Sequence, residues 1–452
     1  MASSRRSPPA EIEAAVAAAL DRHCAGAPAL IVALSGGRDS VVLLDVTAPL
    51  CAARGIALMA AHVHHGLSPH ADAWAAFCEA LCRRHGVAFA LSRVEVRGAA
   101  ADGIEAAARA ARYAALAAMA RASGAAHVAL AHHADDQAET VLLQLARGAG
   151  LAGLAAMPAL RMAGGIAWMR PLLDVPRAAI DAYAAARALA YVDDDSNGSM
   201  RHRRNALRRD VVPAFTAIAP GYPRTLVRAA AQAAEAARLA DDLAAIDAGD
   251  AFDGVTLSRA ALAALAPHRA RNLLRHFLRM QGLRPPSSAR LAAMLAQLAD
   301  AAPDARVALR HDGAVIGIHA GRVVVHAPPP APFDLAWHGE AALDLPHGTL
   351  AFNPEDAATM RLARPAAARG EWRVRARRGG ERLKLDAAGP RRSLTSLLQR
   401  SGMPVWERDA LPLVFCGDVL AAVPGIGVDP AFRAPAGVQG LVVRWHAHPR
   451  AA

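Results

Sequence analysis

ALIVAL at residues 29–34 runs directly into SGGRDS at residues 35–40 and then into VVLL at residues 41–44. The first run is apolar enough to predict a buried strand, and the last predicts the start of a helix. The two glycines between them allow a tight turn, and a helix N-terminus directs backbone N–H groups and the positive end of its dipole towards an anion. The stretch therefore predicts a phosphate-binding loop between a strand and a helix.

An acid lies within this loop, and no lysine follows it. Asp39 is predicted to be a metal ligand, because a carboxylate beside a polyphosphate is tolerated when a cation such as Mg²⁺ lies between them. A Walker A loop ends in Gly-Lys-Ser/Thr, so the missing lysine excludes a kinase-type P-loop. An ordinary glycine turn between a strand and a helix is the alternative interpretation.

Short apolar runs alternate with alanine-rich helical stretches up to about residue 215. The clearest predicted strands are at residues 30–34, 56–63, 89–96 and 128–131. Strands separated by helices predict a parallel sheet that is covered on both faces, and in such sheets ligands bind at the carboxyl ends of strands where the strand order reverses. Backbone near Val63, at the end of the second strand, is the predicted contact for adenine.

The rest of the chain changes character twice. Residues 221–298 predict helices, and the segment PPPAP at 328–332 predicts an extended linker. Beyond it, short predicted strands and one helix, at 393–401, indicate a small α+β domain. The predicted divisions are 1–216 for the α/β domain, 217–327 for a mostly helical middle domain, 328–335 for the linker and 336–452 for the C-terminal domain.

Charge and cysteine content limit the class of protein. Lysine and arginine number 51 against 40 acidic residues, which gives a net charge of +11 and favours polyanionic partners. Lys384 is the only lysine, so genome base composition explains the choice of arginine, and basicity is weak evidence for RNA binding.

The five cysteines form no regular framework, and no apolar run reaches the ~18 residues of a membrane helix. We expect a cytoplasmic protein that does not bind membranes.

The predicted strand at 128–131 leads into a second acidic junction, HHADDQAET at residues 132–140. We predict that Asp135 caps the following helix while Asp136 faces the cleft. If the sheet order brings this junction beside SGGRDS, Asp39 and Asp136 share Mg²⁺ on the β- and γ-phosphates of a nucleotide. Two solvated acids at a helix start are the alternative, and a zinc site built from the neighbouring histidines is disfavoured.

Arginines supply candidate phosphate contacts in two helical stretches. Arg109 and Arg112 are three residues apart and therefore lie near each other on one face of a predicted helix, where they can hold phosphates or a developing oxyanion. An ordinary ion pair between Glu105 and Arg109 is the alternative. The tract RHRRNALRR at residues 201–209 can bind backbone phosphate, although a solvated helix face is the usual explanation of such a tract.

Eight segments follow one another along the N-terminal half of the chain: SGGRDS, HVHHGL, IEAAARAARY, HHADDQAET, RGAGLAGLAAM, RPLLDVPR, DDSN and RNALRRDVVP. In kind and order they resemble the motifs of the tRNA(Ile)-lysidine synthetase family of PP-loop ATP pyrophosphatases. The resemblance continues into SLLQRSGMPVWERDALPLV at residues 396–414. It implies an α/β fold with an N-terminal parallel-sheet, Rossmann-like PP-loop domain, a mostly helical middle domain and a small α+β C-terminal domain.

The resemblance also implies roles for individual residues. Asp39 and Asp136 would hold Mg²⁺, and Arg109 and Arg112 would hold the nucleotide or the activated base. The residues implied to bind ATP are Ser35, Gly36, Gly37, Asp39 and Ser40, and Arg38 and Val63 are predicted to belong to the same site. The residues predicted to contact the substrate or support its pocket are Glu105, Asn205 and Arg208.

In the C-terminal domain the predictions rest on spacing. Arg373 and Arg375 alternate along a predicted strand and therefore share one face, which makes them candidate tRNA contacts. A solvated strand face is the alternative. The chain departs from the family at Thr395 and Ser396, where the family commonly carries a lysine pair.

The reaction implied by the resemblance has two steps. The C2 oxygen of the wobble cytidine in an isoleucine tRNA with a CAU anticodon is adenylated by ATP with release of pyrophosphate, and the ε-amine of free lysine then displaces AMP. A PP-loop tRNA thiolase and a catalytically silent tRNA-binding protein are the alternatives. The oligomeric state is left open by the sequence, and a homodimer is one assembly that it allows.

Overall fold

A computed structural model describes residues 8–66, 68–96, 104–192, 203–302, 305, 307–355, 361–363, 370–435 and 437–448. It divides into two compact units, Met1–Leu239 and Ala240–Ala452. The division falls within a long helix, Tyr222–Ala248. The domain boundary expected at residue 216 therefore stays a prediction. No helix in the described part of the chain has both the length and the apolar character needed to cross a bilayer.

A six-stranded sheet forms the centre of the first unit, in the order β3-β2-β1-β4-β6-β5. Its strands are β1 (Ala29–Ala33), β2 (Ala57–His64), β3 (Ala88–Arg93), β4 (His127–Ala129), β5 (Leu160–Ala163) and β6 (Ile166–Met169). Strands β3, β2, β1, β4 and β6 are parallel. This confirms the predicted parallel-sheet domain.

Strand β5 is antiparallel to β6 and closes one edge of the sheet. The two strands form a hairpin whose turn is Gly164-Gly165, and both glycines have positive φ, 59° and 76°. Such turns match the twist of a hairpin and favour glycine at both positions. The Gly-Gly pair between two short apolar runs is the sequence signal for this hairpin, whose strands were not among those predicted.

Helices cover both faces of this sheet because alternate residues of β1 point in opposite directions. Leu30 and Val32 pack with helices on one face, whereas Ile31 and Ala33 pack with Leu116 on the other. The helices of this part of the chain are α1 (Pro8–His23), α2 (Arg38–Ala52), α3 (Ala71–His85), α4 (Ile104–Ala122), α5 (Ala134–Ala146), α6 (Leu151–Leu154), α7 (Arg177–Ala186), α8 (Arg203–Ala206), a π-helical turn (Leu207–Val211), α9 (Val212–Ile218) and α10 (Tyr222–Ala248).

The second unit begins with helices and a small antiparallel sheet. The helices, α11 (Arg259–Ala264), α12 (Pro267–Met280) and α13 (Ser288–Asp300), pack around Phe277, which is 1% exposed. The sheet, in the order β7-β10-β9-β8, contains β7 (Leu257–Ser258), β8 (Ala308–His311), β9 (Ala314–His319) and β10 (Arg322–His326). This part is mostly helical, as predicted.

The C-terminal part contains antiparallel sheets and two short helices, α14 (Leu394–Arg400) and α15 (Val405–Ala410). A stack of Trp337 on Phe352, with ring centroids 3.8 Å apart, lies in its core. Strand β11 takes the last two residues of the segment predicted as a linker. The strands are β11 (Asp334–Ala336), β12 (Ala342–Leu345), β13 (Gly348–Glu355), β14 (Trp372–Arg375), β15 (Arg382–Leu383), β16 (Arg392–Ser393), β17 (Leu413–Cys416), β18 (Val419–Val423), β19 (Gly427–Val428) and β20 (Gly440–Ala447).

Candidate active site

The strand order reverses between β1 and β4. From β1 the chain continues to its neighbour β2 on one side, whereas β4 lies on the other side. Loops that leave two such strands diverge and open a crevice at their carboxyl ends. The loop at residues 34–37 and the junction at residues 130–133 leave these two strands and lead into α2 and α5. The two segments singled out in the sequence are therefore neighbours in the fold.

The loop after β1 is closed by its own hydroxyl groups. Ser40 Oγ donates to the carbonyl oxygen of Gly37 at 2.8 Å and accepts from the backbone N–H of Ser35 at 3.2 Å. Among the described side chains none caps the N-terminus of α2, which follows Gly37. The first N–H groups of α2 are therefore available to an anion bound at this loop.

Gly36 is required by both conformation and space. Its φ is +90°, a region that residues with a side chain rarely adopt. A Cβ atom at this position would lie 3.2 Å from Cys78 Sγ and 3.5 Å from Val192 Cγ2. The Gly36 carbonyl oxygen also accepts a hydrogen bond from the N–H of Val192 at 2.9 Å. The loop is thus packed against two segments, the one that contains Cys78 and the one that contains Val192.

We expect Gly36→Ala to weaken ATP binding by about 10- to 100-fold, because a displaced loop misdirects the groups that position the phosphates. Gly55→Ala is the matched control, since Gly55 also has a positive φ, +67°, but a Cβ there meets nothing within 4 Å. Its cost should be about 1 kcal/mol of stability, with ATP affinity unchanged. Titration calorimetry with ATP and urea unfolding of both variants separate the two effects. An equal loss of ATP affinity in both would contradict the role of the loop.

The two acids predicted to share a metal lie against one imidazole ring. His133, which is 2% exposed, has its Nε2 atom 3.7 Å from Asp39 Oδ2 and 3.5 Å from Asp136 Oδ2. Asp39 lies in the first turn of α2, and Asp136 lies in the first turn of α5. The structure therefore brings together two carboxylates that are 97 residues apart in the sequence.

The two carboxyl groups differ in their electrostatic surroundings. Burial raises the pKa of Asp39, and the charge of Asp136 acts in the same direction. Burial also opposes ionisation of Asp136, but nearby His133 and His132, a backbone hydrogen bond and Arg208 together lower the pKa of that carboxyl group. Asp39 Oδ1 is buried without a hydrogen-bond partner among the described residues. A cation bound there would satisfy this oxygen.

These residues fit a magnesium ion that is bound partly by its nucleotide. Mg²⁺ usually takes one or two carboxylates together with substrate phosphates and water. The described residues contain no group of three or more His, Cys, Asp or Glu side chains arranged to hold a metal ion. Asp39 and Asp136 therefore suit a metal that arrives with phosphate oxygens, and their assignment as its ligands stays a prediction.

The expectation that Asp135 caps α5 is wrong. The helix begins after His133, and it is Asp136 whose Oδ2 accepts from the His133 N–H at 3.2 Å. Asp135 Oδ2 instead accepts from the backbone N–H of Arg177 at 2.8 Å, at the start of α7. Because the start of α7 meets the start of α5 only in the folded protein, local sequence rules favoured the wrong acid. Asp136 thus combines a capping role with its place in the cleft.

Arg208 connects this junction to the helical segment that follows residue 203. Its Nε donates to Glu139 Oε1 at 2.5 Å, and its Nη2 donates to Asp136 Oδ1 at 3.1 Å. Burial raises the pKa of Glu139, which is 3% exposed, while the hydrogen bond from Arg208 opposes that shift. Arg204 donates to Thr140 Oγ1 at 2.9 Å. Two arginines of the tract therefore face the acids and hydroxyls of α5, and the half-buried Asn205 follows the first of them.

A second group of positive charge surrounds His132. Burial and the nearby Arg170, Arg109 and Arg112 lower the pKa of His132 to about 3, although Asp136 opposes the shift, so this histidine is neutral. The Arg109 guanidinium lies 5.1 Å from the centre of the Tyr113 ring and donates to its hydroxyl at 3.3 Å. Burial lowers the pKa of Arg112, and Arg109 adds to that effect. Such a cluster of cations suits a bound phosphate.

The roles predicted for several other residues stay predictions, and some of these residues lie outside the described part. The Arg38 guanidinium pairs with Asp181 at 2.9 Å, so its role in ATP binding stays a prediction without a contact. Val63 is buried within β2. The Glu105 side chain and the DDSN segment at 194–197 lie outside the described residues.

Arg373 and Arg375 belong to the second unit and share one face of β14, as their alternation predicted. Arg373 pairs with Asp334 at 2.6 Å. The Arg375 guanidinium lies 3.8 Å from the centre of the Phe415 ring. Both arginines have protein partners, which weakens the interpretation of a freely solvated face and leaves their contact with tRNA a prediction.

Three residues to which the sequence assigned no role contribute to the cleft: His133, Glu139 and Arg170. Glu139 lies one helical turn after Asp136, on the same face, and this spacing was the available signal. Arg170 follows β6, and its side chain is 5% exposed. It is the first residue of the RPLLDVPR segment, and that motif, together with the hairpin strand β6 beside β4, was the available signal.

Comparisons with known proteins identify all three parts of the chain. A family model of the PP-loop domain matches residues 9–215, a model of the TilS substrate binding domain matches residues 257–324, and a model of the TilS substrate C-terminal domain matches residues 372–445.

Three curated relatives bear the name tRNA(Ile)-lysidine synthase. The protein of Ralstonia nicotianae is 42% identical over 89% of this chain and 90% of its own length. The protein of Nitrosomonas europaea is 39% identical over 92% of each chain, and that of Burkholderia pseudomallei is 42% identical over 89% of each. With a phosphate-binding loop, paired carboxylates and this degree of identity along its length, the chain belongs to the tRNA(Ile)-lysidine synthase family.

Proposed function

We propose that this chain is an ATP-dependent ligase that attaches free lysine to the wobble cytidine of an isoleucine tRNA with a CAU anticodon. In the first step the C2 oxygen of cytosine attacks the α-phosphorus of ATP, and pyrophosphate leaves. In the second step the ε-amine of lysine attacks C2, AMP leaves with the oxygen, and the amine loses a proton. The names of the curated relatives, which this chain matches over 89% or more of its length, support this reaction.

The observation that carries the proposal is the meeting of Asp39 and Asp136 at one histidine nitrogen beside the phosphate-binding loop. The loop would bind the phosphates of ATP through the N–H groups at the start of α2. Asp39 and Asp136 would hold Mg²⁺, which when bound neutralises the charge of the departing pyrophosphate. Arg109 and Arg112, whose charges act on His132, would bind the phosphate that remains on the base.

The acidic residues of α5 suit the second substrate. Lysine carries a positive charge on its side chain, and Asp136 and Glu139 place negative charge in the cleft. Glu139 Oε2 is buried without a hydrogen-bond partner among the described residues. Arg208 favours the ionised form of both carboxyl groups by donating a hydrogen bond to each. We therefore assign Arg208 as a positioning residue for this acidic face.

The cysteines do not favour a thiolase. All five cysteines of the chain are buried. Burial raises the pKa of Cys78 to about 12 and that of Cys82 to about 11, so neither forms the reactive thiolate at neutral pH.

Incubation with labelled lysine, ATP and an isoleucine tRNA transcript tests the proposal. We expect label in the anticodon nucleoside and release of pyrophosphate that depends on the tRNA. A transcript whose wobble cytidine is replaced by uridine is the matched control and should remain unlabelled. Pyrophosphate release without transfer of lysine, or equal labelling of both transcripts, would contradict the proposed reaction.

A further inference from the structure

The second unit contains a cleft of about 760 Å³ that the proposed reaction does not use. One wall comes from the end of α12 and the segment after β10, and the other comes from α15 and the end of β20. Its lining includes Met280, His326, His347, Trp406 and Trp445. The cleft thus lies between the two regions that match substrate-binding family models.

Stacked aromatic rings line this cleft. His326 stacks on Trp406 with ring centroids 4.6 Å apart and planes 9° apart. His319 meets the same indole edge-on at 5.3 Å, and His347 lies 4.8 Å from Trp445. Indole and imidazole faces bind other flat rings by stacking, and nucleic-acid bases are the flat rings that such platforms hold.

His347, which lines the cleft, has a buried polar atom without a partner among the described residues. The Nε2 atom of His347 lies 2.7 Å from the carbonyl oxygen of Ala410 and therefore carries the proton that it donates. Burial lowers the pKa of His347, so the ring is neutral and Nδ1 is an acceptor. Nδ1 is buried and has no hydrogen-bond partner among the described residues. A ligand that donates an N–H group would satisfy it.

The charge of the lining narrows the class of ligand. The described residues that line the cleft include neither arginine nor lysine, and Glu407 is an acid. Binding of a phosphate group would require cations, so the cleft suits a flat and uncharged group. A nucleobase with an exocyclic amino group has the ring for stacking and the N–H donor for His347.

We propose that this cleft binds one unpaired nucleobase of the substrate tRNA, stacked against Trp406 and Trp445 and hydrogen-bonded through its amino group to His347 Nδ1. The proposal rests on the proposed function, because it takes tRNA as the substrate. The base enters between the middle and C-terminal regions, and the backbone phosphates on either side of its nucleotide stay outside the cleft. This contact increases the affinity for tRNA through stacking and a hydrogen bond, and it involves no phosphate group.

Binding of isoleucine tRNA to Trp406→Leu tests the proposal with the full chain. Loss of one stacked base should raise the Kd by roughly 5- to 150-fold, whereas Trp406→Phe, which keeps an aromatic face, should bind nearly as well as the parent. Because no phosphate contact is lost, the slope of log Kd against log salt should not change. Val419→Ala, on the surface of the same domain and outside the cleft, is the control and should bind unchanged.

A second variant covers the case in which Trp406→Leu does not fold. Met280 is 58% exposed on the opposite wall, so Met280→Trp fills the cleft without removing a core residue and should also weaken binding. Unchanged Kd values in the folded variants, or a reduced salt slope, would overturn the proposal. Lysine transfer by the parent chain is measured separately. If the parent transfers lysine but the cleft variants bind tRNA as tightly as the parent, only the inference about the cleft is rejected, and the proposed function stands.

Discussion

Asp39→Asn should lower lysine transfer by about 10²- to 10³-fold, the usual cost of removing one charge-stabilising group from an active site. The variant keeps the shape of the side chain but loses the charge that would hold a cation between α2 and the phosphates. Since burial raises the pKa of Asp39, the folded protein disfavours the ionised form. At neutral pH, where the unfolded carboxyl group is ionised, the neutral amide should therefore not lower the free energy of unfolding. Single-turnover transfer assays and urea unfolding measure the two quantities.

Asp21→Asn is the control for this variant. Asp21 is an exposed acid of α1 that pairs with Arg54 at 2.8 Å. Its replacement should change neither lysine transfer nor tRNA affinity. If Asp39→Asn transferred lysine at the parent rate, or lost activity only in proportion to unfolding, the proposed metal site would be rejected.

Arg208→Gln should both reduce lysine transfer and destabilise the first unit. The variant leaves Glu139 and Asp136 without their shared guanidinium, and Glu139 has a side chain that is 4% exposed. Removing one partner of a buried pair costs about 3–5 kcal/mol. We expect a loss near the lower end of this range, about 3 kcal/mol, because the Arg208 side chain is 34% exposed. Urea unfolding measures this loss, and lysine titration of the transfer assay should show a raised KM for lysine.

The neighbouring Arg209→Gln supplies a matched control. Arg209 pairs with Asp210, but both side chains are more than half exposed, so the variant should leave the free energy of unfolding nearly unchanged. The pH dependence gives a further test. In Arg208→Gln, Glu139 keeps only the longer pair with Arg204, 3.9 Å from Nε to Oε2, so its pKa rises further above its unfolded value. The destabilisation should therefore shrink as the pH is lowered and Glu139 becomes protonated. Equal losses in the two variants, independent of pH, would contradict the buried network.

The phosphate-binding loop could be predicted because its physics is local. An apolar run, two glycines and the apolar start of a helix specify a strand, a turn and a helix within 16 residues. The conformation of Gly36 confirms that turn, with a φ of +90°. The alternation of Arg373 and Arg375 along β14 was predictable for the same reason, since a strand repeats every two residues.

Partners from distant segments could not be predicted. Asp135 and Asp136 are adjacent, and only the meeting of the start of α7 with the start of α5 decides that the first accepts from Arg177 while the second caps α5. Likewise, composition and spacing within the tract at 201–209 do not distinguish Arg208, which the family resemblance singled out, from Arg209. A π-helical turn presents the first to buried acids and leaves the second with the exposed Asp210.

The sequence alone determined the family, the alternation of strands and helices, and the residue types that can bind ATP and a metal. These features could be predicted because they depend on residues that are neighbours in the chain. The tertiary structure alone decided which charged groups meet. The convergence of Asp39 and Asp136 on His133 depends on the order of strands in the sheet, which joins segments about 100 residues apart. Charges interact through space and are screened by solvent, so their effects on one another follow only from distance and burial.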